Sequence, residues 1–208
     1  MILLLMGIIL AYLLGAIPFG YLIAKYWAKI DIRKEGSGNI GATNALRTMG
    51  KKAGLSVLIL DLLKGLIAVT LIGRLFYQYN SNIDQLTYVY VIGLTVICAH
   101  IWTIFLSFKG GKGVSTALGV LVGLTVYDVK FSLILLLAFC IWFIIVFFSK
   151  YVSLGSIAAA LFLPIGLIIF IKSLEALIFG ILIASIVIYS HRQNVHKLLT
   201  NTERKIKL

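Results

Sequence analysis

The sequence predicts an all-α protein: a polytopic membrane helix bundle of about seven transmembrane helices, with its N-terminus outside and its C-terminus in the cytoplasm. Three observations predict it. The 208-residue chain is 61% hydrophobic and only 12% charged, whereas a soluble domain carries roughly 25% charged residues. So little polar surface cannot cover a water-soluble globule, and lipid must cover much of the outside. The apolar residues fall in seven runs of helix-spanning character. The basic residues concentrate on alternate connections between those runs.

The runs lie at 2–24, 53–77, 87–107, 113–127, 131–149, 153–171 and 174–190. The first lacks the basic start and small-residue cleavage pattern of a signal peptide and reads as a retained helix. The fourth is short, and its start merges with a glycine-rich run. With seven crossings, segments 25–52, 108–112, 150–152 and 191–208 share one side and hold 15 of the 19 Lys and Arg residues. The other side holds Arg74, Lys130 and Lys172, and Lys64 lies within a span. This asymmetry sets the orientation. The longest hydrophilic segment, 25–52, has 28 residues and cannot bury a core of its own. Residues 1–208 are therefore expected to form a single integral membrane domain.

Charge narrows the partners. A formal charge of +12 in so apolar a chain points to anionic lipid head groups or anionic substrates. A chain buried in lipid has little surface for a duplex, so no nucleic acid is expected. Cys98 and Cys140 sit in apolar runs and read as free, buried thiols. The seven acidic residues are scattered, so neither a metal site nor a cofactor is expected.

Three cytoplasmic segments carry unusual polar clusters. The first is Gly36-Ser37-Gly38-Asn39-Ile40-Gly41-Ala42-Thr43-Asn44, followed by Arg47. Its glycines permit positive φ and close backbone approach, so that amides can converge on phosphate oxygens. Ser37, Asn39 and Thr43 add side-chain hydrogen bonds, and a helix starting near Ala42 would favour the same anion. The stretch matches GxGxxG, but a membrane helix precedes it where a dinucleotide site needs a strand. The second is Phe108-Lys109-Gly110-Gly111-Lys112-Gly113-Val114-Ser115-Thr116, read as another phosphate loop at a helix start. It lacks Walker A spacing. The third is Ser190-His191-Arg192-Gln193-Asn194 with the later Thr202-Glu203; His191 and Asn194 would share a face of a continuing helix. Ser153, from physics alone, reads as a helix N-cap. Within the spans, Asp61 and Lys64 are spaced for a local ion pair, with Lys64 close enough to the interface to snorkel. His100 reads as a satisfied interfacial histidine that could support the second loop.

These motifs, in order and spacing along the whole chain, resemble the three signatures of the acyl-phosphate-dependent glycerol-3-phosphate acyltransferases, the PlsY type. Tyr151-Val152-Ser153-Leu154 and Asp61-Leu62-Leu63-Lys64-Gly65 also look like that family. The resemblance implies seven membrane helices with the N-terminus outside. It also implies transfer of a fatty acyl group from acyl phosphate to the sn-1 hydroxyl of glycerol 3-phosphate. The products would be 1-acyl-glycerol 3-phosphate and phosphate, in the first acylation of phospholipid synthesis. By motif match, Ser37, Gly38, Asn39, Gly41, Thr43 and Asn44 go to acyl phosphate. Arg47, Lys109, Lys112, Ser153, His191 and Asn194 go to glycerol 3-phosphate. The implied catalytic set is Ser37, Arg47, Lys112, His191 and Asn194, with Glu203 structural.

A mixed anhydride is already activated, so positioning and charge stabilisation can supply most of the rate. The proton of the attacking hydroxyl is expected to go to a donor phosphate oxygen. His191 is the other candidate, since imidazole exchanges protons near neutral pH. The expected partners are the two substrates and membrane lipid, with a monomer as the working state. A transporter for an anionic phosphorylated solute is the rival reading. It requires polar residues through the spans and fits poorly with the absence of an internal repeat. A membrane scaffold would have no use for glycine-rich loops.

Overall fold

The computed structural model describes residues 2–78 and 83–206; Lys207 of the basic tail lies outside them. Among the described residues the regular structure is entirely helical: α1 Ile2–Ala16, α2 Phe19–Ile23, α3 Ala42–Met49, α4 Lys51–Ile67, α5 Gly73–Tyr77, α6 Gln85–Ile101, α7 Val114–Leu124, α8 Lys130–Ser149, α9 Val152–Phe170, α10 Leu174–Ser190 and α11 Arg192–Leu199. All seven apolar runs are helical. Five continuous stretches are long and apolar enough to cross a bilayer: Ile2–Ala28, Lys51–Tyr77, Gln85–Leu106, Lys130–Ser149 and Val152–Phe170. The bent pair α10–α11 makes a sixth. Helix α7, in the fourth expected run, has 11 residues. That is about 17 Å of rise against a hydrocarbon core of about 30 Å.

The packing divides the chain into two compact units, Met1–Gly123 and Leu124–Leu208. In the first unit, α1 packs on α6 and α3 folds back on α4. Small residues let backbones touch where lipid offers no hydrophobic drive for association. Helices α4 and α7 cross on two such contacts: Gly65 lies against the carbonyl of Thr116, and Gly119 against the carbonyl of Leu62. The second unit is an antiparallel run in which α9 packs against both α8 and α10.

Helix ends follow their capping chemistry. Asp84 accepts from Thr87 N at 3.1 Å, and Ser173 accepts from Ala176 N at 3.1 Å. Lys29, Lys150 and Lys172 each stop a helix in the left-handed conformation. The thiols differ from expectation: Cys98 is half-buried and Cys140 exposed, because Cys140 sits on a face of α8 that the protein itself does not cover.

Candidate active site

The first loop is organised from inside by one side chain. Asn44 is 2% exposed. Its Oδ1 accepts from Ser37 N at 2.9 Å, and its Nδ2 donates to Asn39 O at 2.9 Å and Glu35 O at 3.0 Å. Gly36, at φ +59°, passes so close that a Cβ there would meet Asn44 Oδ1. Asn39 does similar work, its Oδ1 accepting from Gly41 N at 2.9 Å. Gly41 then leads into α3, which begins at Ala42 as expected. Asn44 was expected at the acyl phosphate; its amide is committed within the loop, which gives it an organising role. Ser37 and Gly38 are exposed at the loop's crest, and Thr43 and Arg47 are half-buried.

Ahead of the loop, Asp31 caps the short 3-10 turn Ile32–Lys34 and holds the Arg33 guanidinium at 2.7 and 2.9 Å. That hydrogen bond lowers the Asp31 carboxyl to about 2.

The second loop uses its glycines differently from expectation. The chain leaves α6, turns through Ile104–Leu106 and doubles back. Gly110 N donates to Ile101 O at 2.9 Å, and Gly111 N donates to His100 O at 3.1 Å. These amides cap the carbonyl end of α6, so they do not form a phosphate cradle. Side chains are excluded here by proximity: a Cβ on Gly110 would strike the carbonyls of His100 and Ile101, and one on Gly111 would strike the His100 ring. The basic groups this loop offers are half-buried Lys112 and exposed Lys109. Leu106 shares a buried cluster with Ile32, Ile40 and Ala45 of the first loop region, which brings both loops to one end of the first unit.

In the second unit, Glu203 is the organising group. Its Oε1 accepts from Asn194 Nδ2 at 2.7 Å and from Ser153 Oγ at 2.9 Å. Ser153 is therefore no helix cap; Tyr151 holds that position. The tail reaches Glu203 by folding back after α11, with Thr202 N and Glu203 N on Lys197 O. Ile206 N then reaches Lys150 O at 2.9 Å. His191 is the joint between α10 and α11, which bend by 59°, so the expected continuous face with Asn194 is broken. Its ring is buried, with Nδ1 2.8 Å from the carbonyl of Val187. A carbonyl only accepts, so Nδ1 carries the proton and Nε2 of the neutral ring is the acceptor.

Sequence reasoning missed Thr103, which is buried, donates to Ala16 O at 2.5 Å and accepts from Phe105 N at 3.2 Å. It ties the start of the second loop to α1. A lone threonine beside an apolar run gives no pattern that would have marked it.

Residues 5–201 match the family model described as glycerol-3-phosphate acyltransferase. The chain belongs to that family. It is 46% identical over 201 residues to the glycerol-3-phosphate acyltransferase of Desulforamulus reducens, covering 97% of this chain and 94% of the relative. It is 42% identical to that of Thermoanaerobacter pseudethanolicus, covering 95% and 93%. It also resembles the crystal structure of PlsY (YgiH), an integral membrane glycerol 3-phosphate acyltransferase, in its glycerol 3-phosphate form. There the TM-score is 0.85 at 37% identity, covering 98% of this chain and 96% of that one. The lysophosphatidic acid form matches with a TM-score of 0.83 at 36% identity. As a glycerol-3-phosphate acyltransferase, the protein handles an anion, and the basic groups Arg47, Lys109 and Lys112 lie on the two loops that share one end of its first unit.

Proposed function

We propose that this acyltransferase moves a fatty acyl group from acyl phosphate to the sn-1 hydroxyl of glycerol 3-phosphate at the cytoplasmic face of a bacterial inner membrane. One observation carries the reading. Leu106, Ile32, Ile40 and Ala45 share a core, so a glycine-rich crest and a lysine-bearing loop occupy the same end of one unit. Two phosphorylated substrates need two anion-binding elements, and this end supplies them. The excess of Lys and Arg on alternate connections supports the orientation, with the N-terminus outside. The seventh crossing of that count falls on α7, whose 11 residues cover only part of the hydrocarbon core. One chain carries every residue invoked.

The crest formed by Ser37, Gly38, Asn39, Gly41 and Thr43 receives the acyl phosphate, and Asn44 holds its shape. Arg47, Lys109 and Lys112 bind the phosphate of glycerol 3-phosphate. By resemblance to the family motifs, Ser153, Asn194 and His191 are also assigned to glycerol 3-phosphate, with His191 accepting at Nε2. The sn-1 oxygen attacks the acyl carbon, forming a C–O bond. The C–O bond to phosphate then breaks, and the departing phosphate takes the hydroxyl proton as it leaves. No covalent enzyme intermediate is required, because the donor is already a mixed anhydride and positioning lowers the barrier. A His191→Asn variant that binds glycerol 3-phosphate normally yet loses all turnover would transfer the proton role to the imidazole.

The test mixes purified protein in detergent with palmitoyl phosphate and glycerol 3-phosphate and follows phosphate release. Release that depends on both substrates is expected. A folded sample that releases none, or accepts only acyl-CoA, overturns the reading.

A further inference from the structure

A cluster of three side chains that can carry charge, Asp61, Lys64 and His100, is buried in the first unit outside the residues assigned above. The side chains of Lys64, Asp61 and His100 are 1%, 3% and 4% exposed. The Lys64 ammonium lies 2.9 Å from Asp61 Oδ1, 2.7 Å from His100 Nδ1 and 3.1 Å from the carbonyl of Ile17. The ammonium hydrogen-bonds the Ile17 carbonyl and His100 Nδ1 and forms an ion pair with Asp61, so Lys64 does not snorkel. With Nδ1 accepting from an ammonium, the neutral His100 ring carries its proton on Nε2. That Nε2 edge faces Gly111, where a Cβ would collide with it. The same residue's carbonyl receives the Gly111 amide at 3.1 Å. His100 therefore meets the residue before Lys112 twice, by its backbone and by its ring.

Burying an ion pair in an apolar helix costs desolvation that a hydrophobic pair would avoid. Apolar side chains at these positions would join α4 to α6 without that cost. What the pair adds is directional. It fixes the angle of the imidazole, and the imidazole fixes Gly111.

We propose that Asp61, Lys64 and His100 are positioning residues that set the loop bearing Lys112 for glycerol 3-phosphate. The inference rests on the functional reading above, and its test separates the two. The central variant is D61N/K64M, which removes both buried charges and orphans neither. It is combined with K112A in a double-mutant cycle, read both as the Kd for glycerol 3-phosphate by calorimetry and as the KM values of both substrates.

Positioning predicts that D61N/K64M weakens glycerol 3-phosphate roughly ten-fold, with the KM for palmitoyl phosphate and the melting temperature near wild type. It also predicts no further loss when K112A is already present. Gly111→Ala, which disturbs the ring without touching a charge, should give the same selective loss. Additive effects in the cycle, or equal changes in both KM values, overturn the proposal in favour of a purely structural role. So does a Gly111→Ala variant with wild-type binding. Wild type that binds glycerol 3-phosphate but does not turn over palmitoyl phosphate refutes the donor reading alone, and the calorimetric cycle still decides this one. Wild type that binds no glycerol 3-phosphate removes both.

Discussion

Replacing Asn44 with alanine is the most direct test of how the first loop is built. The substitution removes the acceptor of Ser37 N and the donor to the carbonyls of Glu35 and Asn39. At about 1 kcal/mol net per hydrogen bond, the loss is about 3 kcal/mol. The crest is exposed, so the freed groups can reach water and the loop can loosen without unfolding α3. Under the proposed function, bound acyl phosphate must then restore the order that Asn44 supplied in advance. If the whole loss appears there, kcat/KM for acyl phosphate falls about 100-fold, since 1.36 kcal/mol is a factor of ten.

Asn44→Asp sharpens the test. It keeps the shape and the acceptor for Ser37 N, but it loses both donors and sets a carboxylate against two carbonyls. It should be as damaging as alanine. Kinetics in detergent with palmitoyl phosphate as the varied substrate, together with thermal melts, measure both effects. If either variant keeps kcat/KM within about three-fold of wild type, the loop is not organised by this side chain.

Three further outcomes follow from the same geometry. Arg47→Ala and Lys112→Ala should each raise the KM for glycerol 3-phosphate, since one charged hydrogen bond to phosphate is worth roughly 1.5–3 kcal/mol; unchanged kinetics in both would remove them from the site. Glu203→Ala should release Ser153 and Asn194 together, so adding Asn194→Ala should cost much less than it does in the wild-type background. A double-mutant cycle in kcat/KM checks this. Asp31→Asn should leave activity unchanged and lower the melting temperature by the same small amount at every pH from 5 to 8. The Asp31 carboxyl is depressed from its ordinary 3.8 to about 2, so its pairing with Arg33 is fully present above the ordinary carboxylate range and is lost only as pH falls through about 2. A difference that varies with pH across that range, or a loss of activity, would mean that the pair does more than cap a turn.

The helices were legible because each apolar run had to bury its backbone polar groups internally, and in lipid only a helix or a closed barrel does so. The start of α3 at Ala42 was legible too, from the glycine-to-helix junction. The length of α7 was not. Glycines at 119 and 123 pass the hydropathy pattern, yet they serve contact with Leu62 and Val69, and the helix stops at Leu124. The pair Asp61–Lys64 was readable from its spacing of three. Its third member was not, because His100 lies 36 residues from Lys64 and reaches it only through the packing of α4 and α6. Ser153 was misread for the same reason: its partner Glu203 lies 50 residues away, and local sequence offered only a capping role.

The two glycine-rich loops show why composition alone misassigns chemistry. In the first, Gly36 and Gly38 take positive φ, and asparagine side chains replace the backbone partners that a regular element would supply. The product is an ordered crest with Ser37 at its exposed edge. In the second, Gly111 is free of positive φ, and its amide and that of Gly110 are used on the end of α6. Glycine is needed there because the loop lies flat on a helix terminus and a histidine ring. This holds Lys112 close to that rigid end, and a lysine so anchored would lose less entropy on binding the proposed phosphate than one on a mobile loop. The first loop contributes shape and the second contributes placed charge. For the proposed reaction, whose donor is already activated, those two contributions are what catalysis requires.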